Sequence, residues 1–248
     1  MTDADEVLPG GGMSTVLRRG QTVVRETGPW TPRVHELLRH LETTGFGQAP
    51  RVVGLEGDHE VLTFLAGDVV HPPVTAELVR DAAVADAGVM LRRLHDATTE
   101  LADRSGLRTG WRFDALDPVE VICHNDFAPY NVVFVDGRPA GVIDFDTARP
   151  GPRLWDIGYA AFSWAPLERR TPSTAAEQWR RVELFCAAYG TGTDGVLAAV
   201  QSRLTDMITT IENHPDFHPQ RAEEHDVHYR DCLEHVRTTV AAVVDELS

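Results

Sequence analysis

"VICHNDFAPYNVVFVDGRPAGVIDFD", residues 121–146, sets His124, Asp126, Asn131, Asp144 and Asp146 among runs of Val, Ile and Phe. Within it, "NVVFVDGRPAGVIDF" is two apolar runs joined at Asp136-Gly137, a pair that favours the tight turn of a β-hairpin. With a two-residue turn, paired positions sum to 273, so Asn131 faces Val142 and Asp144 lies two residues beyond it. Side chains alternate faces along a strand, which puts Asn131 and Asp144 on one face at the open end, roughly 7 Å apart at Cα. One metal ion can bridge that span through two side-chain oxygens. Pro139 or Gly141 could introduce a bulge and shift this register. Asp126 precedes Asn131 in a loop containing Pro129, so three oxygen-bearing side chains converge on one end of one hairpin. Hard oxygen ligands suit magnesium, and a carboxylate beside them can accept a proton from an attacking hydroxyl. Those are the parts of a phosphoryl-transfer site. Asx side chains also satisfy backbone groups in buried loops, which is the plainer explanation of Asp126 and Asn131 taken alone. Asp146 serves either as a second metal ligand or as a loop cap.

Outward from this stretch, residues 7–66 read as mostly β. "STVLRR" and "TVVRE" flank a turn at Gly20-Gln21, and "RVVGLEG" and "EVLTFLAG" flank one at Gly57-Asp58. One helix lies between these pairs, starting at Thr31-Pro32 and stopping at Gly45, with Leu37, Leu38 and Leu41 on its apolar face. "DVVHPPVT", 68–75, reads as a linker. A helix is expected over 76–97, strands over 119–145, and helices over 153–165, 173–189, 194–213 and 220–246. The expected architecture is α+β: a small, mainly β lobe over 1–67 and a larger, mainly α lobe over 68–248.

Composition narrows the class. With 23 basic and 38 acidic residues the net charge is −15, and no basic patch of a nucleic-acid binder is visible. An acidic surface solubilises a protein and also attracts a cationic substrate. No run approaches the roughly 18 apolar residues of a membrane span. "MTDADEVLPGGG" is acidic and lacks an apolar signal core, and Cys123, Cys186 and Cys232 are widely spaced and odd in number. Reduced thiols and a cytoplasmic location are the expectation. His225 and His228 stand three apart on an expected helix and could share a metal, although no carboxylate pattern accompanies them and a polar helix face, or part of an acceptor pocket, is the plainer explanation.

The pattern His-x-Asp-x-x-x-x-Asn, then an Asp-Phe pair after a hairpin, is close to the kinase catalytic signature. In "HNDFAPYN", "VIDFDTA" and the following "GPRLWDIGYA" the chain resembles the aminoglycoside phosphotransferase-like family, and hence a two-lobed protein-kinase-like fold. The resemblance implies ATP and Mg2+ as cofactors and a small-molecule hydroxyl as acceptor, in a pocket built by the C-terminal helices. It implies Asp126 as catalytic base, Asn131 and Asp144 as metal ligands, and His124 as a structural member of the catalytic loop. "LPGGGMSTV" is similar to the glycine-rich loop over the phosphates, with Gly10, Gly11, Gly12 and Ser14. "LTFLAGD" is similar to the hinge that meets adenine, with Thr63, Phe64 and Leu65. Arg25 stands where the family's phosphate-binding Lys is expected; it is otherwise a solvated strand residue. Its helix Glu partner has no clear equivalent, Glu36 being nearest and Glu42 next. Asn125 and Tyr130 replace two of the family's glycines. These departures leave a second reading, a nucleotide-binding pseudokinase with a regulatory role. The sequence does not specify an oligomeric state.

Overall fold

Val, Thr and Leu alternating with charged residues build the N-terminal strands, and the computed structural model describes residues 6–8, 15–72, 74, 79–104 and 106–247. In chain order the elements begin with β1 (Glu6–Val7), β2 (Leu17–Arg19), β3 (Thr22–Glu26), α1 (Thr31–Thr43), β4 (Val52–Glu56), β5 (His59–Thr63) and β6 (Asp68–Val69). They continue with α2 (Asp81–Ala102), β7 (Val121–Cys123), β8 (Val132–Val135), β9 (Arg138–Val142) and β10 (Arg149–Gly151). The helices α3 (Arg153–Trp164), α4 (Ala175–Tyr189), α5 (Val196–Asn213), α6 (His218–Ala222), α7 (His225–His235) and α8 (Ala241–Leu247) follow. A π-turn over Val236–Val240 joins the last two.

The chain divides into two compact units. One takes Met1–Pro72, Arg93–Asp126 and Tyr130–Pro152; the other takes Pro73–Arg92, Phe127–Pro129 and Arg153–Ser248. The first unit holds an antiparallel sheet in the order β1-β2-β3-β5-β4, a second sheet β6-β8-β9 and the pair β10-β7. Both expected hairpin turns form, with Arg19 opposite Thr22 and Glu56 opposite His59. Helix α1 buries Val34, Leu37, Leu38 and Leu41, each contributing roughly 1.5–3 kcal/mol of apolar burial. Thr31 is its first helical residue, and its Oγ1 accepts a hydrogen bond from the Gly28 N–H.

Residues 68–75 are not wholly a linker: Asp68 and Val69 pair with Phe134 and Val133 of β8. Gly67 makes this possible, because a Cβ there would lie 2.4 Å from the Phe134 carbonyl oxygen. Helix α2 ends at Ala102, five residues beyond the expected 97. Its last turns are anchored, since Thr98 and Leu101 are fully buried and Thr98 Oγ1 accepts from the Ile122 N–H of β7.

The second unit is helical. A capping box starts α4, in which Thr174 Oγ1 accepts from the Glu177 N–H and the Glu177 carboxylate accepts from the Thr174 N–H. Helices α3 and α5 approach so closely at Gly158 that a Cβ there would meet Ala199 main-chain atoms at 2.8 Å. Phe127 is fully buried; its carbonyl accepts from the Trp164 indole N–H at 3.2 Å, and the two rings stack. The helix expected over 220–246 is broken by Glu224, whose φ of 59° is left-handed, so α7 starts only at His225. Among the described residues no helix is long and apolar enough to cross a membrane.

Candidate active site

Strand β7 ends at Cys123, and the chain then turns through Asn125, whose φ is +69°. Asn is one of the few non-glycine residues that enter this region readily, which explains how it stands where the family motif has glycine. His124 is buried and fixes the loop from both ring nitrogens. Its Nδ1 accepts from the Asp126 N–H at 3.3 Å, so Nε2 carries the proton and donates to the Ile143 carbonyl at 2.9 Å. Thr147 Oγ1 donates to the His124 carbonyl.

Asp126 is thereby set at the mouth of the loop. Asn131, at the end of a 3₁₀ turn over Pro129–Asn131, donates from Nδ2 to Asp126 Oδ2 at 2.8 Å and to the Asp126 carbonyl at 3.0 Å. That engagement leaves the Asn131 amide oxygen as the atom able to ligate a cation. Tyr130 Oη donates to Asp126 Oδ1 at 2.8 Å.

The hairpin register differs from the expected one. Val135 faces Arg138 and Phe134 faces Pro139, as a sum of 273 requires, but Val133 then faces Gly141 and Val132 faces Val142. The extra residue is Ala140, a bulge between Pro139 and Gly141. Asn131 consequently pairs with Ile143, whose N–H donates to the Asn131 carbonyl at 2.9 Å. Simple alternation therefore no longer places Asn131 and Asp144 on one face. Asp144 instead lies past the end of β9 with φ 62° and ψ 70°, a left-handed kink that starts the 3₁₀ turn Phe145–Thr147. A non-glycine residue held there is strained by about 1–3 kcal/mol, and such strain is concentrated at functional sites.

Arg25 is not a solvated strand residue: it is 9% exposed. Its Nε donates to Glu60 Oε1 at 2.6 Å, one terminal nitrogen to Asp144 Oδ1 at 3.1 Å, and the other to Asp146 Oδ1 at 2.6 Å. Glu60 is the cross-strand neighbour of Arg25 between β3 and β5 and is only 1% exposed. Its other oxygen, Oε2, lies 2.6 Å from Nε2 of His35 on α1. Burial opposes the charge on Arg25, yet Asp146, Asp144 and Glu60 together outweigh it and hold the guanidinium pKa above its ordinary value. Burial, offset in part by Arg25 and reinforced by Asp144 and Glu60, pushes the Asp146 carboxyl above the usual carboxylate range.

The acidic partner of Arg25 thus comes from a strand, and neither expected helix residue supplies it. Glu36 pairs with Arg33 at 2.8 Å, and Glu42 lies near Arg51. Glu60 and His35 were missed by the sequence reading. The available signal was a Glu beside Val61 and Leu62 on a strand whose register with β3 sets it opposite Arg25.

In the segment expected to be the hinge, the Thr63 N–H donates to the Arg51 carbonyl and the Phe64 N–H to the Gln21 carbonyl. Among Thr63, Phe64 and Leu65, these two donors are engaged by neighbouring strands. Arg18 lies over the Phe64 ring at 4.1 Å. Gly10, Gly11, Gly12 and Ser14 lie outside the described residues. Cys123, beside the motif, is fully buried with Sγ against the Pro152 carbonyl, and Asp156 is fully buried in the first turn of α3.

A mainly β unit carrying the loop from His124 to Asn131 and the β8–β9 hairpin, together with a helical unit, is the architecture of the protein-kinase-like class of fold. The amicoumacin kinase hAmiN in complex with AMP-PNP, Ca2+ and Ami shares this fold with a TM-score of 0.69 at 13% identity, over 95% of this chain and 89% of that one. The streptomycin-ATP-APH(2")-IIa ternary complex shares it with a TM-score of 0.60 at 17% identity, over 87% of each chain. At these identities the likeness is one of fold. Residues 110–194, which contain the whole stretch from His124 to Asp146, match the model of the phosphotransferase enzyme family. The trifolitoxin immunity protein of Rhizobium leguminosarum bv. trifolii is 43% identical over 166 residues, or 64% of this chain. The chain spans 61% of the length of that relative.

Proposed function

We propose that this protein transfers the γ-phosphoryl group of ATP to a hydroxyl of a small, antibiotic- or toxin-like molecule. The observation that carries the reading is the Asp126 carboxylate, which is fixed by Asn131 on one oxygen and already accepts a hydroxyl proton, that of Tyr130, on the other. A base must lie within hydrogen-bond reach of the proton it takes, and Asp126 Oδ1 holds a hydroxyl in that geometry. Asn131 Oδ1 and the Asp144 carboxylate are hard-oxygen donors of the kind Mg2+ takes and would hold it, with Asp146 two residues beyond Asp144. When bound, Mg2+ would neutralise charge on the phosphates. Arg25 contributes by fixing Asp144 and Asp146 and by supplying a permanent positive charge beside them. Gly10, Gly11, Gly12 and Ser14 are proposed to cover the phosphates, and Leu65, with Thr63 and Phe64 shaping the segment, to meet the base. The immunity function in the name of the relative fits modification of a toxic molecule. Incubation with ATP, Mg2+ and a panel of hydroxyl-bearing antibiotics should yield one acceptor that gains the mass of a phosphoryl group with matching ADP release. ATP binding without ADP release from any acceptor would favour the second reading, a non-catalytic nucleotide-binding module. The engagement of Arg25 by three carboxylates is what favours that reading.

Two further outcomes are expected. Tyr130 competes with the acceptor for Asp126 Oδ1, so Tyr130→Phe should lower the acceptor KM by about fivefold, the equivalent of one hydrogen bond of about 1 kcal/mol, with the ATP KM unchanged. An unchanged or higher acceptor KM would remove Tyr130 from that role. The net charge of −15 suits a cationic acceptor, whose KM should then rise as salt is raised from low to physiological strength. A KM that ignores salt would show that the acceptor is not recognised by its charge.

A further inference from the structure

Away from the catalytic motif, the helical unit brings three different metal-ligating side chains together. His228 and Cys232 stand one turn apart on α7, so they share a face of that helix. Cys232 Sγ lies 3.6 Å from His228 Nε2, and Glu168 Oε1 lies 3.8 Å from the same nitrogen. One ligand atom from each of the three residues lies within 4.8 Å of the others. Around a tetrahedral zinc ion, bond lengths of about 2.05 Å to nitrogen, 2.3 Å to sulfur and 2.1 Å to oxygen give ligand edges of about 3.6 Å for N···S and about 3.4 Å for N···O. The observed separations are close to those edges without rearrangement of α7.

We infer that Glu168, His228 and Cys232 form a zinc-binding site, with its fourth position open to water or another small ligand. A thiolate and an imidazole select zinc over magnesium or calcium, and with one carboxylate the protein contributes two negative charges that balance the dication. Binding forms bonds from zinc to Sγ, Nε2 and a carboxylate oxygen, and the thiol proton passes to solvent. Outer contacts hold the carboxylate-bearing residue: Gln178, 1% exposed, donates from Nε2 to the Glu168 carbonyl at 2.8 Å and engages His235 Nε2 through its own oxygen at 2.9 Å. His225, three residues before His228, is directed elsewhere, with Nε2 3.3 Å from Glu223. The site therefore joins His228 to Cys232 and Glu168, where the sequence suggested a pair of histidines. It does not depend on the phosphoryl-transfer reading.

The full chain, stripped of metal with a chelator, should take up one Co2+ with a thiolate-to-cobalt charge-transfer band, and Zn2+ should displace that band. Cys232→Ser should abolish the band, and His228→Ala and Glu168→Gln should each weaken Zn2+ binding by more than the 10–100-fold expected for losing an outer partner. His225→Ala and Cys186→Ser should leave both signals intact. Zn2+ should also raise the thermal midpoint of the wild type but not that of Glu168→Gln, a surface change that leaves the packing of α7 untouched. Absence of the charge-transfer band in wild type, its survival in Cys232→Ser, or its loss in His225→Ala would overturn the assignment.

Discussion

Asp126→Asn is expected to lower turnover by at least about 100-fold, within the roughly 10²–10⁴ range of general-base catalysis, while ATP affinity stays within about twofold. The amide has the shape of the carboxylate and can still receive a hydrogen bond at one position. It cannot take a proton from an acceptor hydroxyl. The loop around it is held by contacts that the substitution does not touch: the two hydrogen bonds of the His124 ring and the bond from Thr147 to the His124 carbonyl. The Asn131 Nδ2 bond to the Asp126 carbonyl also survives, because it ends on the main chain. Steady-state kinetics with the identified acceptor, together with calorimetric titration of a non-hydrolysable ATP analogue, separate the two quantities. Normal turnover in Asp126→Asn would mean that another group takes the proton. A loss of nucleotide affinity as large as the loss of turnover would mean that Asp126 acts through the metal site instead.

The second large effect concerns stability. Arg25→Met should cost about 3–5 kcal/mol, the range for removing one partner of a buried ion pair. The reason lies in what is left behind. Glu60 is 1% exposed and would face an uncharged thioether side chain, with only His35 as a polar partner. Asp146 would lose the cation that partly offsets its burial, and Asp144 the donor that restrains a left-handed backbone. Arg25→Lys should recover only part of the loss, because one ammonium cannot span the three directions that the guanidinium fork reaches. Combining Arg25→Met with Glu60→Leu should recover part of the stability, since Glu60, the most deeply buried of the three carboxylates, is then no longer stranded while Asp146 still is. Urea unfolding of the wild type and these three variants measures this directly. A cost below about 1 kcal/mol for Arg25→Met would show that the carboxylates are solvated well enough to need no partner.

Much of this site is legible in the sequence because it is built from local signals. The spacing from His124 to Asn131, the Asp136-Gly137 turn and the flanking β-branched runs each act within a few residues. The errors arise where distant segments meet or where one residue alters a register. Ala140 bulges out of β9, and that moves Asn131 from Val142 to Ile143. The positive φ at Asp144, which aims the carboxylate after the strand has ended, leaves no mark in the hydrophobic pattern. Glu60 lies 35 positions from Arg25, and only the pairing of β3 with β5 makes them neighbours. The extension of α2 to Ala102 is a tertiary effect too, imposed by the burial of Thr98 and Leu101.

Arg25, Glu60, His35, Asp126, Asn131, Asp144 and Asp146 all belong to the same one of the two compact units, although they come from segments spread over more than a hundred residues. Within that unit they are positioned by its sheets, by α1 and by the β8–β9 hairpin. If the proposed function holds, substitutions in the helical unit can accumulate with the proposed reacting groups still held by the other unit.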